Sequence, residues 1–294
     1  MRAIATQNLT KTYGKHRGIS QVDLEVQEGE RYGFIGPNGA GKSTTIKLLL
    51  GFLFPTAGTA RIFGKDCVKS SDTIKRVTAY VPSEVRYYRN LTARQIMKTA
   101  LNFHKMRWDS LADELIDQFA IEADKKMEEF SLGNKKKVAI AAALVTCPGL
   151  LILDEPTSGL DPLMQKTLFD VLQKRNETGM TVFMSSHNLA EVEQFCQKAA
   201  FIKEGKLIEV AKLSHQEREG KIFSVACPEL TREALEGCGA QIISQEESAW
   251  RFVYRGEMSG ILGLLSHYNI QDLTVRNIDL EDKFLSYYES GEGK

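Results

Sequence analysis

Residues 34 to 51 read FIGPNGAGKSTTIKLLLG: apolar residues, a glycine-rich turn and an amphipathic stretch in direct succession. Gly36, Gly41, Lys42 and Ser43 fit the pattern G-x-x-x-x-G-K-[ST], which carries meaning only where a strand precedes it and a helix follows. Both flanks have that character here. The loop from Gly36 through Pro37, Asn38, Gly39 and Ala40 to Gly41 can turn backbone amides inward around a polyphosphate. The helix that follows aims its partially positive N-terminus at the same place. On this reading Lys42 reaches the β- and γ-phosphates of ATP, Ser43 holds Mg²⁺ through its hydroxyl, and Thr44 completes the cradle. A glycine-rich turn without a ligand is the alternative, but it leaves a lysine against backbone amides with no anion to justify it.

Residues 150 to 155, LLILDE, supply a second half for such a site. Four apolar residues predict a central strand, and two acids emerge at its C-terminal end, where open parallel sheets bind their ligands. Asp154 is placed to position Mg²⁺ through its hydration water. Glu155 is placed to face the γ-phosphate and polarise the attacking water. The competing role for such acids, capping the next helix, is the weaker one beside the loop at 36–43.

The rest of the chain gives these motifs a setting. Among 294 residues, apolar runs and helical patterns alternate from Met1 to about Ala211, which predicts an α/β fold with a mainly parallel sheet. Buried strands are expected at Tyr32 to Ile35, Leu150 to Leu153 and Thr181 to Met184. Between the first two, from Ala93 to Phe130, Asp109, Asp113, Glu114 and Asp117 separate from Leu111, Leu115, Ile116 and Phe119 at helical spacing, as an inserted helical subdomain would. VAIAAALVTCPGLLIL (138–153) is too short to span a bilayer, for which ~20 apolar residues are needed, and Pro148-Gly149 splits it. It reads as a buried helix, a turn and a buried strand. MRAIATQNLTKTYGK has no apolar core, so no signal peptide is expected.

Lys plus Arg and Asp plus Glu both number 38, so no net positive charge recommends the chain to nucleic acid. Five scattered cysteines without a C-x-x-C read as reduced thiols. After the polar linker AKLSHQEREGK the pattern changes. KIFSVAC, AQIISQEE, AWRFVYRG and IQDLTVRNI read as strands; LTREALEGC, EMSGILGLLSHYN and DLEDKFLSYYES read as helices. The order β-α-β-β-α-β plus a helix is that of a small α+β ferredoxin-like unit. The expected division is 1–215 for the nucleotide-binding domain, with its helical subdomain at about 88–147, and 216–294 for the small domain.

FSLGNKKKV (130–138), SGLD (158–161), His187 after TVFMSS, and KTYG near the start add order and spacing to the two acids and the loop. Residues 1 to about 215 thereby resemble the ATP-binding cassette (ABC) family, the ATPase subunits of ABC transporters. The resemblance implies that Tyr13 stacks on adenine. It implies that Ser131 and Gly133 of SLGN bind the γ-phosphate of ATP held by a facing subunit, a role a serine hydroxyl and a helix N-terminus suit. His187 would contact the γ-phosphate beside Glu155 as part of the catalytic machinery, and Asp161 would sit at the subunit interface.

Leu132 stands where the family has glycine, Asn134 replaces glutamine, and in AYVPSEVRYY (79–88) Ser83 replaces the expected glutamine, with Glu84 adjacent. Either could take that position toward Mg²⁺. The SLG signature and the small C-terminal appendix look like ATPases of bacitracin-resistance-type exporters. That likeness implies two ATPase subunits, a homodimer in preference to a heterodimer, peripheral on the cytoplasmic face of the membrane and joined to a separate transmembrane permease that exports peptide antibiotics or other amphipathic compounds. The helical insertion and residues 79–91 would pass motion to it. A soluble ABC-type ATPase would need a long coiled-coil insertion for repair or a second cassette for translation. A binding module without turnover is at odds with Glu155.

Overall fold

The computed structural model of the protein describes residues 1–14, 16–213, 220–247 and 249–277. The chain divides into two compact units, Met1–Leu213 and Ser214–Lys294.

The first unit opens with β1 (Arg2–Tyr13), β2 (His16–Val22) and β3 (Glu25–Gln27), then β4 (Arg31–Ile35) and α1 (Lys42–Leu49). β5 (Ala57–Ile62), β6 (Lys65–Asp66), α2 (Ser71–Lys75) and β7 (Thr78–Val81) follow. The helical insertion lies between β7 and β8 (Leu150–Asp154) and comprises α3 (Ala93–Phe103), α4 (Ser110–Gln118), a 3₁₀ turn at Met127–Glu129 and α5 (Leu132–Leu144). α6 (Pro162–Glu177), β9 (Thr181–Ser186), α7 (Leu189–Phe195), β10 (Lys198–Lys203) and β11 (Lys206–Lys212) complete the unit.

Two sheets result. The central one has the order β11-β10-β4-β9-β8-β7, parallel except for the antiparallel edge strand β11. The other, with β1 paired to β2, β3 and β5 and with β6 at its edge, is antiparallel. The expectation of a mainly parallel sheet therefore describes only the central layer. Stretches such as IATQNLTKTY alternate and contain polar residues that a doubly covered parallel strand would exclude. Ile4, Leu9, Ile19 and Ile62 turn inward from that second sheet and share one core with Phe34, Phe183 and Leu150 of the central strands. Tyr32 stacks on Phe183 at 5.9 Å between ring centroids, fixing β4 against β9.

Each helix of the insertion begins on a side chain that satisfies otherwise orphaned amides. Thr92 and Gln95 cap α3 reciprocally, Asp109 caps α4, and Ser131 caps α5 by accepting from the Asn134 amide. α5 is buried continuously from Val138 to Leu144, which is why its sequence is apolar on all sides.

The second unit runs β12 (Lys221–Ala226), α8 (Arg232–Gly237), β13 (Gln241–Glu246), β14 (Ala249–Tyr254), α9 (Met258–Leu265) and β15 (Asp272–Asn277). Its strands pair antiparallel in the order β13-β14-β12-β15. Phe223 and Phe252, stacked at 5.2 Å, pack with Leu235, Ile261 and Leu265 from the two helices. The helix expected at DLEDKFLSYYES lies outside the described residues.

Candidate active site

Strand order explains why distant motifs meet. β9 lies between β4 and β8, so the residues after Ile35, Asp154 and Ser186 leave the sheet side by side at its C-terminal edge. Gly41 ends the loop after β4 at φ 109°, a conformation that favours glycine, and an added Cβ would lie 2.6 Å from Ile19. α1 starts directly from that turn with Lys42.

Lys42, 6% exposed, donates through Nζ to the carbonyl of Gly36 at 2.6 Å and to that of Pro37 at 3.3 Å. The same ammonium lies 3.4 Å from Glu155 Oε1, a buried oxygen that accepts no hydrogen bond. Glu155 Oε2 is 2.6 Å from Nδ1 of the exposed His187. An ionised carboxylate only accepts, so this contact puts the proton on Nδ1. Asp154, 2% exposed, takes the Ser43 hydroxyl on Oδ2 at 3.0 Å and the Ser185 hydroxyl on Oδ1 at 2.5 Å. Glu155 itself has φ 51°, strained for a residue other than glycine, and its N–H is fastened to the Ser185 carbonyl at 3.1 Å.

Tyr13, Pro37, Asn38, Gly39, Gly41, Lys42, Ser43, Thr44, Asp154 and Glu155 line one cleft of about 360 Å³, with Gly18 and Ser83. Tyr13 presents a half-exposed ring at its edge, backed by Gly18. Gly36 and Ala40 are buried in the loop beneath. Ser83 faces this cleft, whereas Glu84 is paired with Arg86 at 2.9 Å on the surface. That separates the two candidates for the departure at 83–84.

Ser131, Gly133 and Asp161 are not among the residues lining this cleft. Ser131 is exposed at the start of α5, and the exposed Leu132 side chain stands beside it. Gly133 packs against the loop carrying Asp161, so closely that a Cβ would lie 2.3 Å from the Gly159 carbonyl oxygen. Asp161 caps α6 by accepting from the Met164 amide at 3.0 Å.

Two participants carried no motif. Ser185 looked like an ordinary strand residue, and its strand position opposite Asp154 is a matter of sheet register. Lys136, the middle residue of KKK, is buried at 3% exposure and donates to the carbonyls of Pro82, Ser83 and Glu155 at 3.0, 2.7 and 3.2 Å. Burial pulls its ammonium down to about 8, opposed by the charges of Asp154 and Glu155. The helical period offered the only signal: position 136 precedes the fully buried run by two residues.

Residues 19–158 match the family described as ABC transporter. The chain is 38% identical over 229 residues to the bacitracin transport ATP-binding protein BcrA of Bacillus licheniformis, covering 75% of this chain and 73% of that one. It is 33% identical over 301 aligned positions to the ABC transporter ATP-binding protein YcbN of Bacillus subtilis (strain 168), covering 96% and 95%. Among solved structures, a dimeric ATP-binding cassette in a post-hydrolysis state bound to ADP and Pi superposes with a TM-score of 0.66 at 26% identity, over 72% of this chain and 99% of that chain.

Proposed function

The chain belongs to the ATP-binding cassette family of transporter ATPases, and on that premise we propose that two copies of it close on ATP and reopen on hydrolysis to drive a separate membrane subunit. It is an ATPase that powers a transporter. The observation that carries the proposed mechanism is the placement of Glu155, between the Lys42 ammonium and the His187 imidazole at the mouth of the glycine-rich cleft.

In this reading Gly36 to Thr44 cradle the ATP phosphates and Tyr13 stacks on adenine. Glu155 accepts a proton from the attacking water, with His187 orienting the carboxylate through Nδ1. Lys42 exchanges its loop carbonyls for phosphate oxygens, which bind an ammonium more strongly because they are charged. The hydroxyl of Ser43 and the carboxylate of Asp154 offer the hard oxygen donors that Mg²⁺ takes alongside phosphate and water. When bound, that ion would neutralise developing phosphate charge, and Ser83 stands where it could contribute through a water.

Ser131, exposed outside the lining of the chain's own cleft, and the half-buried Gly133 would bind the γ-phosphate held by the facing copy, with Asp161 at the joint. Dimerisation and cooperation with transmembrane permeases characterise the family; identical copies are our reading, since one chain carries both halves of the composite site. No helix among the described residues is long and apolar enough to cross a membrane. The chain would sit at the cytoplasmic face, with residues 79–91 and the helical insertion meeting the permease. The likeness to BcrA favours export of peptide antibiotics or related amphipathic compounds. The antiparallel order β13-β14-β12-β15 with two helices favours a ferredoxin-like reading of the second unit, as a dimer contact or regulatory module.

The test is Glu155→Gln. It should keep ATP affinity, lose at least ~10²-fold in hydrolysis and accumulate as an ATP-dependent dimer in light scattering. Adding Ser131→Arg should return the monomer. A protein that stays monomeric at saturating ATP, also with its membrane subunit present, overturns the paired-site mechanism.

A further inference from the structure

Among the described residues, no carboxylate is within ion-pair distance of the Lys136 ammonium. Its ammonium has three hydrogens and meets three backbone carbonyls, those of Pro82 and Ser83 after β7 and that of Glu155 after β8. A lysine buried this deeply is rare unless its donors are fully used, as they are here. Three segments distant in sequence are thereby tied at one atom.

We propose that Lys136 is a positioning residue for hydrolysis: it holds the main chain of Glu155 in its reactive place and joins that place to the helix bearing Ser131 and Gly133. The inference rests on the reading of Glu155 as the residue that activates water. Glu155 is held in the left-handed region from both sides. Its N–H is bonded to the Ser185 carbonyl and its C=O receives the Lys136 ammonium. A strained conformation persists only where its surroundings over-determine it, and on the carbonyl side Lys136 at 3.2 Å adds to the turn bond from the Ser158 amide at 3.3 Å. Without Lys136, the Glu155 carbonyl keeps only that turn bond, a looser hold that would let the carboxylate drift off the line between Lys42 and His187.

The same ammonium fastens the loop at 82–83 through its carbonyls. This is a different attachment from one made by the side chain at 83, where serine is too short to reach far. Lys136 lies five residues beyond Ser131 on α5, roughly 7.5 Å along the axis, so the helix that contacts the facing nucleotide is also the helix that restrains Glu155.

The restraint acts on the water-activating residue and not on the loop that holds phosphate, so the expected result is a split between turnover and binding. In Lys136→Met, which keeps length and apolar stem, kcat should fall about 10- to 100-fold, the scale of a displaced catalytic group. KM, and the affinity for a fluorescent ATP analogue, should stay within about threefold of the parent on the same scale of reasoning. Lys136→Gln, whose amide can serve two carbonyls, should lie between. A kcat in folded Lys136→Met within twofold of the parent overturns the proposal, as does a parallel loss of kcat and ATP affinity in both variants. If the methionine variant does not fold, the glutamine variant decides alone: lowered kcat at unchanged KM sustains the proposal, and unchanged kcat or a joint loss overturns it. Glu155→Gln measured alongside separates the two readings, because parent-like hydrolysis there refutes the role of Glu155 whatever Lys136 does.

Discussion

One methyl group at Gly133 should loosen the first unit, although the same methyl group at Gly263 should not loosen the second. Both glycines sit in helices, α5 and α9, where alanine is intrinsically favoured by about 1 kcal/mol. At Gly263 an added Cβ meets nothing within 4 Å. At Gly133 it would lie 2.3 Å from the Gly159 carbonyl oxygen, well inside any real contact. That oxygen belongs to the backbone, so no side chain can rotate out of the way, and α5 or the loop at 159–161 must retreat. Overpacking typically costs ~1–3 kcal/mol, and a backbone clash belongs at the upper end. Subtracting the helix-propensity gain leaves about 2 kcal/mol, which for a unit of this size lowers Tm by roughly 4–8 °C. Calorimetry is the assay, and the transition that ATP raises identifies the first unit. Gly263 lies in the second unit, so Gly263→Ala is compared with that unit's own transition, which should not fall. Because Gly133 does not line the chain's own cleft, its variant should still bind ATP, while ATP-dependent pairing weakens as Ser131 shifts. A Gly133→Ala protein with parental Tm and parental pairing would refute the argument that this contact sets the position of α5.

Ser83→Ala should reduce turnover far less than Asp154→Asn, because Asp154 is a buried charge held by two hydroxyls and Ser83 only faces the cleft; equal, near-total losses in an ATPase assay would make Ser83 a primary ligand. Maleimide at neutral pH should label exposed Cys147 and spare Cys67 and Cys196 in the folded protein, since burial pushes the Cys67 thiol up to about 12 and raises Cys196 as well. Mass spectrometry reads the sites, and early labelling of Cys196 would contradict its packing.

The parts legible in the sequence were those whose physics is local. A glycine loop between a strand and a helix, two acids ending an apolar strand and a capped amphipathic helix each announce themselves within about ten residues, and β4, β8, β9 and the buried part of α5 formed where continuous apolar runs placed them. The antiparallel layer was not foreseen, because β1 pairs with β5 across some fifty intervening positions and nothing within β1 names that partner. Ser185 escaped notice for the same reason. Its hydroxyl matters only because β9 lies beside β8 with Asp154 opposite, and a register shift of one residue would turn it to the other face. Lys136 was hidden by company: in KKK three identical side chains differ only in the direction the helix gives them, and one of the three points inward.

The departures in the sequence and the unforeseen contacts bear on one another. Ser83 lacks the reach expected at its position, yet the loop it occupies is not loose, because Lys136 grips the carbonyls of Pro82 and Ser83 whatever side chain residue 83 carries. The second donor direction of that lysine leads to Glu155, and the helix that bears it begins at Ser131, pinned by Gly133 against Gly159. A displacement at the N-terminus of α5 therefore has two rigid outlets, the loop toward the helical insertion and the peptide of Glu155. α5 is buried along most of its length and cannot bend to absorb such a displacement locally. Under the proposed paired-site mechanism, a change at the facing nucleotide would reach Glu155 through contiguous backbone and one ammonium, a path short enough for each of its links to be cut by a single substitution.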